Sequence, residues 1–86
     1  MKITGSDKQL LETIKGFGYK VSSDNMGIYL TGDVNKFSFI KTGDIYNCYY
    51  NKLIDGQYVL QENLYSQILL TPCLQWAYNI IRRDKK

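Results

Sequence analysis

Residues 27–60 read GIYLTGDVNKFSFIKTGDIYNCYYNKLIDGQYVL, and this stretch decides the fold. Apolar and polar side chains alternate along it, the period of a half-buried β-strand. Turn chemistry interrupts the alternation at residues 23–25, at Gly32-Asp33, at Gly43-Asp44 and at Asp55-Gly56. The last three interruptions lie about 11 residues apart, which leaves room for strands of about six to nine residues. Thr31-Gly32-Asp33-Val34 and Thr42-Gly43-Asp44-Ile45 echo each other at this interval, as two similar hairpin turns would. The pattern predicts an antiparallel β-meander. Ile28, Leu30, Phe37, Phe39, Tyr46, Cys48, Tyr50, Tyr58 and Leu60 form the more apolar set, expected on one face. Tyr29, Thr31, Ser38, Ile40, Asn47, Tyr49, Asn51 and Gln57 are then expected on the other.

Upstream, Ser6 followed by Gln9 has the form of a capping box, and Leu10, Leu11, Ile14 and Phe17 follow at helical spacing. A short amphipathic helix is expected over residues 7–16, ended by Gly16 and Gly18, with a first strand at Tyr19-Lys20-Val21. Downstream, the period changes at about Gln61. Leu64, Ile68 and Leu69 make an apolar helical face, and Thr71 with Pro72 suits the start of a second helix. Leu74, Ala77, Ile80 and Ile81 extend the buried surface; a single helix kinked at Thr71-Pro72 is the alternative. The order helix, strands, helix, without a βαβ rhythm, predicts an α+β fold. It has an antiparallel sheet of four to five strands with both helical segments on one face.

The length of 86 residues allows one domain and one core, with residues 82–86 as a short basic tail. The net charge of +3 resides in that tail. Arg82, Arg83, Lys85 and Lys86 against Asp84 give +3, so residues 1–81 sum to zero. Residues 63–81 carry no charge, but Asn63, Gln67, Thr71, Gln75 and Asn79 recur every four residues, a costly arrangement in hydrocarbon. A soluble helical segment is expected there rather than a membrane span. Residues 1–5 hold no apolar run, so no secretory signal is expected. Cys48 and Cys73 are too few for a zinc site without histidine; they read as two buried thiols in a reducing, cytoplasmic setting.

Histidine is absent, which removes the usual Ser-His-Asp and Cys-His constellations and the commonest acid–base group at neutral pH. No glycine-rich phosphate loop occurs. Asp24, Asp33, Asp44 and Asp55 fall at turns, where aspartate bonds the local backbone. Only Asp33 and Asp55 are expected at the same end of the sheet. No catalytic residue, metal site or cofactor is expected.

Two surfaces remain. The first is the more polar sheet face, with Tyr29, Ser38, Asn47, Tyr49, Asn51 and Gln57. It joins large rigid aromatic area to adaptable hydrogen bonding, as protein-recognition surfaces do. Self-association through Trp76 and Tyr78 is a variant of the same reading. The second places Arg82, Arg83, Lys85 and Lys86 on nucleic-acid phosphates. Aromatic rings interleaved with Lys20, Lys36, Lys41 and Lys52 would then stack on single-stranded bases. Heavy use of Lys, Asn, Ile and Tyr suggests an AT-rich coding sequence of the kind found in phage and mobile elements. Many products of such elements bind and block a host protein. The expectation is a non-enzymatic protein-binding module, an inhibitor or adaptor that docks through this sheet face or the wide apolar surface of the C-terminal helices; nucleic-acid binding is the alternative.

Overall fold

The computed structural model describes residues 5–66 and 69–84. Helix α1 (Gly5–Lys15) leads into strands β1 (Lys20–Ser23), β2 (Gly27–Thr31), β3 (Asn35–Thr42), β4 (Ile45–Ile54) and β5 (Gln57–Ser66), and helix α2 (Thr71–Asp84) closes the order. The strands form one antiparallel sheet in the order β1-β2-β3-β4-β5, so each pairs only with its neighbours in sequence. The fold is the α+β meander with two helices that the alternation predicts.

Local chemistry makes the turns. The Asp24 carboxylate accepts the backbone amides of Met26 (2.8 Å) and Gly27 (3.1 Å), which reverses the chain between β1 and β2. Asp55 and Gly56, at φ 52° and 80°, form the two-residue turn between β4 and β5. A left-handed pair of this kind matches the twist of the flanking strands.

Three expectations change. Helix α1 begins at Gly5, so Ser6 lies within its first turn and not at the cap. The chain from Gln61 to Ser66 is strand and not helix: β5 runs for ten residues because pairing with β4 continues as far as Tyr46↔Ser66. The kinked-helix alternative goes with it, since α2 starts afresh at Thr71. The third change comes from a bulge in the β4–β5 ladder. Tyr50 pairs with Glu62 but Asn51 pairs with Leu60, so Gln61 is the extra residue. An inserted residue reverses which side chains face which way. Tyr58 and Leu60, expected on the apolar face, therefore join the opposite one, and Gln57 crosses in the other direction. Gln67 and Ile68 lie outside the described residues.

Both helices pack on one face of the sheet. Leu11 and Ile14 of α1, and Cys73, Leu74, Ala77, Ile80 and Ile81 of α2, close over two rows of sheet residues. One row runs Leu30–Phe37–Tyr50 and the other Ile28–Phe39–Cys48 across β2, β3 and β4. Burying side chains of this size contributes about 1.5–3 kcal/mol each. Among the described residues no helix is long and apolar enough to cross a membrane.

The two helix starts are joined. Asp7 in the first turn of α1 is 1% exposed, and the Thr71 hydroxyl at the first residue of α2 donates to its carboxylate (2.5 Å). Asp7→Ala removes that acceptor and strands a donor in a buried seam. Urea unfolding is expected to show a loss of about 1–3 kcal/mol. In a double-mutant cycle with Thr71→Val, the two losses should couple by about 0.5 kcal/mol or more; strict additivity would show that the contact contributes nothing.

Candidate partner-binding face

The strand registers place side chains on the helix-free face in rows. One row crosses all five strands as Ser22–Tyr29–Ser38–Tyr49–Asn63, and the next as Lys20–Thr31–Lys36–Asn51–Leu60. Ile40–Asn47 flanks the first row, and Leu53–Tyr58 flanks the second. Tyr29, Ser38, Asn47, Tyr49 and Asn51 thus come together as the sequence predicts, each half-buried by its neighbours in the pleat. Gln57 does not; the bulge turns it to the helix side. In its place Tyr58 (48% exposed) and Leu60 (53%) complete the face. Sequence reasoning missed these two on this face, along with Leu53 and Asn63, and read Lys36 only with the lysines of the nucleic-acid alternative.

Lys36 is the centre of charge. Its ammonium lies 5.2 Å from the Tyr29 ring centroid and 5.7 Å from that of Tyr58, within cation–π range of both. Lys20 adds a second positive charge in the same row. The only strand carboxylate among the described residues, Glu62, pairs with Tyr50 in a row on the helix side. Asp24 stands at the rim, where it accepts from the Tyr29 hydroxyl at 3.1 Å. The backbone amides of Met26 and Gly27 hold the Asp24 carboxyl below the usual range, while desolvation and the bond to Asp24 raise the Tyr29 phenol. Asn47 donates to Thr42 Oγ1 (3.2 Å), and its own side-chain oxygen has no hydrogen-bond partner among the described residues.

A concavity of about 430 Å³ opens at the end of the sheet, where the α1–β1 connection and the β2–β3 turn meet β3, β4 and the last turn of α2. Its walls include Tyr19, Asn35, Tyr50, Lys52, Asp33 and Asp84. Tyr19 donates to the Asn35 oxygen at 2.8 Å, the Asn35 amide faces Tyr50, and the Tyr50 hydroxyl donates to Asp84 at 2.5 Å. Burial and then the Asp84 bond push the Tyr50 phenol up to about 12. That same hydrogen bond, with Lys52 and Arg83 nearby, holds the Asp84 carboxyl below its ordinary value. Tyr19 is thus satisfied by Asn35 and Tyr50 by Asp84, and the Tyr50–Asp84 bond ties α2 to the sheet. Lowering the Asp84 pKa adds stability above the ordinary carboxylate range, and that contribution is lost as pH falls through the lowered value.

The other candidate residues are dispersed. Trp76 meets Phe37 edge-on (6.0 Å, 87°) and Tyr78 packs on Phe17 (6.1 Å), so both rings serve the core of their own chain. Arg83 is paired with Glu62 at 2.7 Å, Arg82 lies over the Tyr78 ring at 5.5 Å, and Lys85 and Lys86 fall outside the described residues. Of the four interleaved lysines, Lys20 and Lys36 lie on the helix-free face; Lys41 stands against Tyr46 on the helix side (5.7 Å), and Lys52 lines the concavity. Asp33 and Asp55 share an end of the sheet, but two strand spacings separate their turns, about 10 Å. The β4–β5 hairpin also runs past the Asn35↔Lys52 pair, which carries Asp55 further out. Such a separation exceeds what paired carboxylates use on one glycosidic bond. No cluster of three or more potential metal-ligating side chains occurs among the described residues.

No family model matches the chain, and no curated protein or solved structure matches it.

Proposed function

We propose that this protein is a non-enzymatic binding module that docks a partner protein on the helix-free face of its sheet. The observation that carries the reading is the bulge at Gln61. It sets Tyr58 and Leu60 beside Tyr29, Tyr49 and Lys36, forming one continuous aromatic, amide-rich surface. Tyrosines offer large contact area with few rotors to freeze, and Ser38, Asn47, Asn51 and Asn63 supply hydrogen bonds that adapt to a partner. The charge favours an acidic partner. Lys20 and Lys36 face outward without a strand carboxylate beside them, so a carboxylate brought to Lys36 finds a cation already held between two rings. Docking of this kind acts by occupancy, as an inhibitor or adaptor does.

The test is affinity capture from the source cells, followed by titration of the captured protein with point variants. Tyr49→Ala and Tyr58→Ala are expected to weaken the complex by about 1–2 kcal/mol or more each, as anchoring tyrosines do. Gln57→Ala, on the other face, should leave it unchanged. Equal affinity for all three variants would remove this face from consideration. Mobility-shift titration at two salt concentrations supplies the contrast. Steeply salt-dependent retention of a single-stranded oligonucleotide, lost on removal of residues 82–86, would replace the protein partner with nucleic acid.

A further inference from the structure

The sheet ends in two unlike edges. Strand β1 has four residues and carries Lys20, and both a short strand and a lysine guard an edge against pairing. Strand β5 has ten residues, QYVLQENLYS, with neither proline nor lysine, and among the described residues no strand pairs with its outer side. Its single carboxylate, Glu62, is held by Arg83 at 2.7 Å. Exposed apolar side chains gather along β5 and the adjoining end of β4: Leu53, Ile54, Tyr58, Val59 and Leu60.

The ladders fix which backbone groups of β5 point outward. The Leu53 amide donates to the Val34 carbonyl at 2.7 Å, just beyond the Asn35↔Lys52 pair. The amide and carbonyl of Lys52 itself therefore turn away from β3 and toward β5. Lys52 and Val59 bond to each other, and the flanking Tyr58 and Leu60 direct their amides and carbonyls out of the sheet. Alternation along β4 carries the assignment past the bulge: Asn63 and Tyr65, opposite Tyr49 and Asn47, also direct theirs outward. The outward residues are thus 58, 60, 63 and 65, a spacing that reads the same from either end. The bulge at Gln61, a feature that otherwise disturbs pairing at an edge, supplies the central step of three.

We propose that two copies of this chain pair through β5, antiparallel, about a two-fold axis that stands normal to the sheet between Gln61 and Glu62. Tyr58 then pairs with Tyr65 of the second copy and Leu60 with Asn63, each pair exchanging two backbone bonds, about eight across the seam. Such an axis requires opposed residues to share a face, and they do. Leu60 and Asn63 lie on the helix-free face, Val59 and Leu64 on the helix side. Val59, 42% exposed, gains an apolar neighbour in Leu64 of the second copy. Like charges do not oppose each other: Gln61 faces Glu62, whose carboxylate already has Arg83. A second copy is the occupant because it presents the same symmetric run of donors and acceptors, with the same step of three at the same place. The helix-free faces of both copies then lie on one side of a single sheet, with a guarded β1 at each end. The inference concerns the edge and does not rest on a partner docking on the face.

The experiment follows the full chain by sedimentation velocity over a concentration series, with residue-resolved amide hydrogen exchange at both ends of the series. The mass is expected to rise from 10.0 kDa to twice that value and stop, since pairing uses up β5 and leaves only the guarded β1 edges. The amides of Tyr58, Leu60, Asn63 and Tyr65 should exchange at least about tenfold more slowly in the dimer, whereas those of Val59 and Leu64, already bonded to β4, should change less. Leu60→Pro removes an outward amide and no bond to β4, so it should hold the chain at 10.0 kDa. Tyr49→Ala, a change on the face, should dimerise as the parent does, which separates failure of the edge from failure of the face. A lone 10.0 kDa species at about 1 mM, the weak end of specific association, would overturn the proposal. So would a dimer whose four outward amides exchange as in the monomer, assemblies that grow past two, or a folded Leu60→Pro that dimerises normally. Exchange is read on the unaltered chain, so a poorly folded variant does not blunt the test.

Discussion

Phe37→Ala is expected to lower the free energy of unfolding by about 3–5 kcal/mol, the usual range for removing a buried aromatic ring. Phe37 is fully buried in mid-β3 and touches three other rings. It stacks on Tyr50 (4.7 Å, 14°), meets Trp76 edge-on (6.0 Å), and leans on Tyr19 (5.9 Å). Two of those neighbours begin polar contacts, Tyr19 with Asn35 and Tyr50 with Asp84, so the ring also steadies the bonds that anchor α2. A domain of this size has a total stability of about 4–13 kcal/mol, so the variant would lose much of it. Urea titration followed by Trp76 fluorescence reads the loss directly, because that indole lies against the ring removed. Phe37→Leu, which refills most of the space, should lose far less. A Phe37→Ala loss below about 1 kcal/mol would mean that the four rings do not form the centre of the core.

Gly27→Ala is the second large effect, and it acts through the backbone. A Cβ on Gly27 would lie 2.0 Å from the Phe39 carbonyl oxygen and 3.1 Å from the Ile40 Cα. Both belong to the main chain of β3, which cannot yield without breaking the Gly27↔Ile40 pair and the bond from the Lys41 amide to the Met26 carbonyl. The same residue donates its amide to Asp24, so the β1–β2 turn shifts with it. A loss of about 3 kcal/mol or more is expected in equilibrium unfolding. Gly5→Ala is the control, since a Cβ there meets nothing within 4 Å. It should change stability by less than about 1 kcal/mol. If the two variants behaved alike, the close approach of β2 to β3 would be wrong.

The parts of this fold that could be read from the chain are those with local causes. Asp24, Gly43-Asp44 and Asp55-Gly56 reverse the chain through their own side chains and φ angles, so the turns stand where composition puts them. The alternation of Ile28, Leu30, Phe37, Phe39, Tyr46, Cys48 and Tyr50 is strict enough to mark the buried face. Strand β5 was not legible. Leu64, read at helical spacing, fits a strand as well, and only the available edge of β4 decides for it. The bulge was not legible either, because no residue type at Gln61 announces it. One inserted residue carried Tyr58 and Leu60 across the sheet, and with them two exposed large side chains of the candidate face. The contact of Asp7 with Thr71 joins distant positions, and spacing in the sequence says nothing of such meetings.

Strictly sequential strand order has a kinetic consequence. Each hairpin closes a short stretch of chain, and the entropy of closure grows only with the logarithm of its length, so the meander is able to zip outward from any of its turns. The seam between α1 and α2 is different: it joins residues on either side of the whole sheet and has nothing to rest on until those strands are in place. The slow step of assembly therefore belongs to the helical layer, while the polar-aromatic surface is already formed by the ladder beneath it.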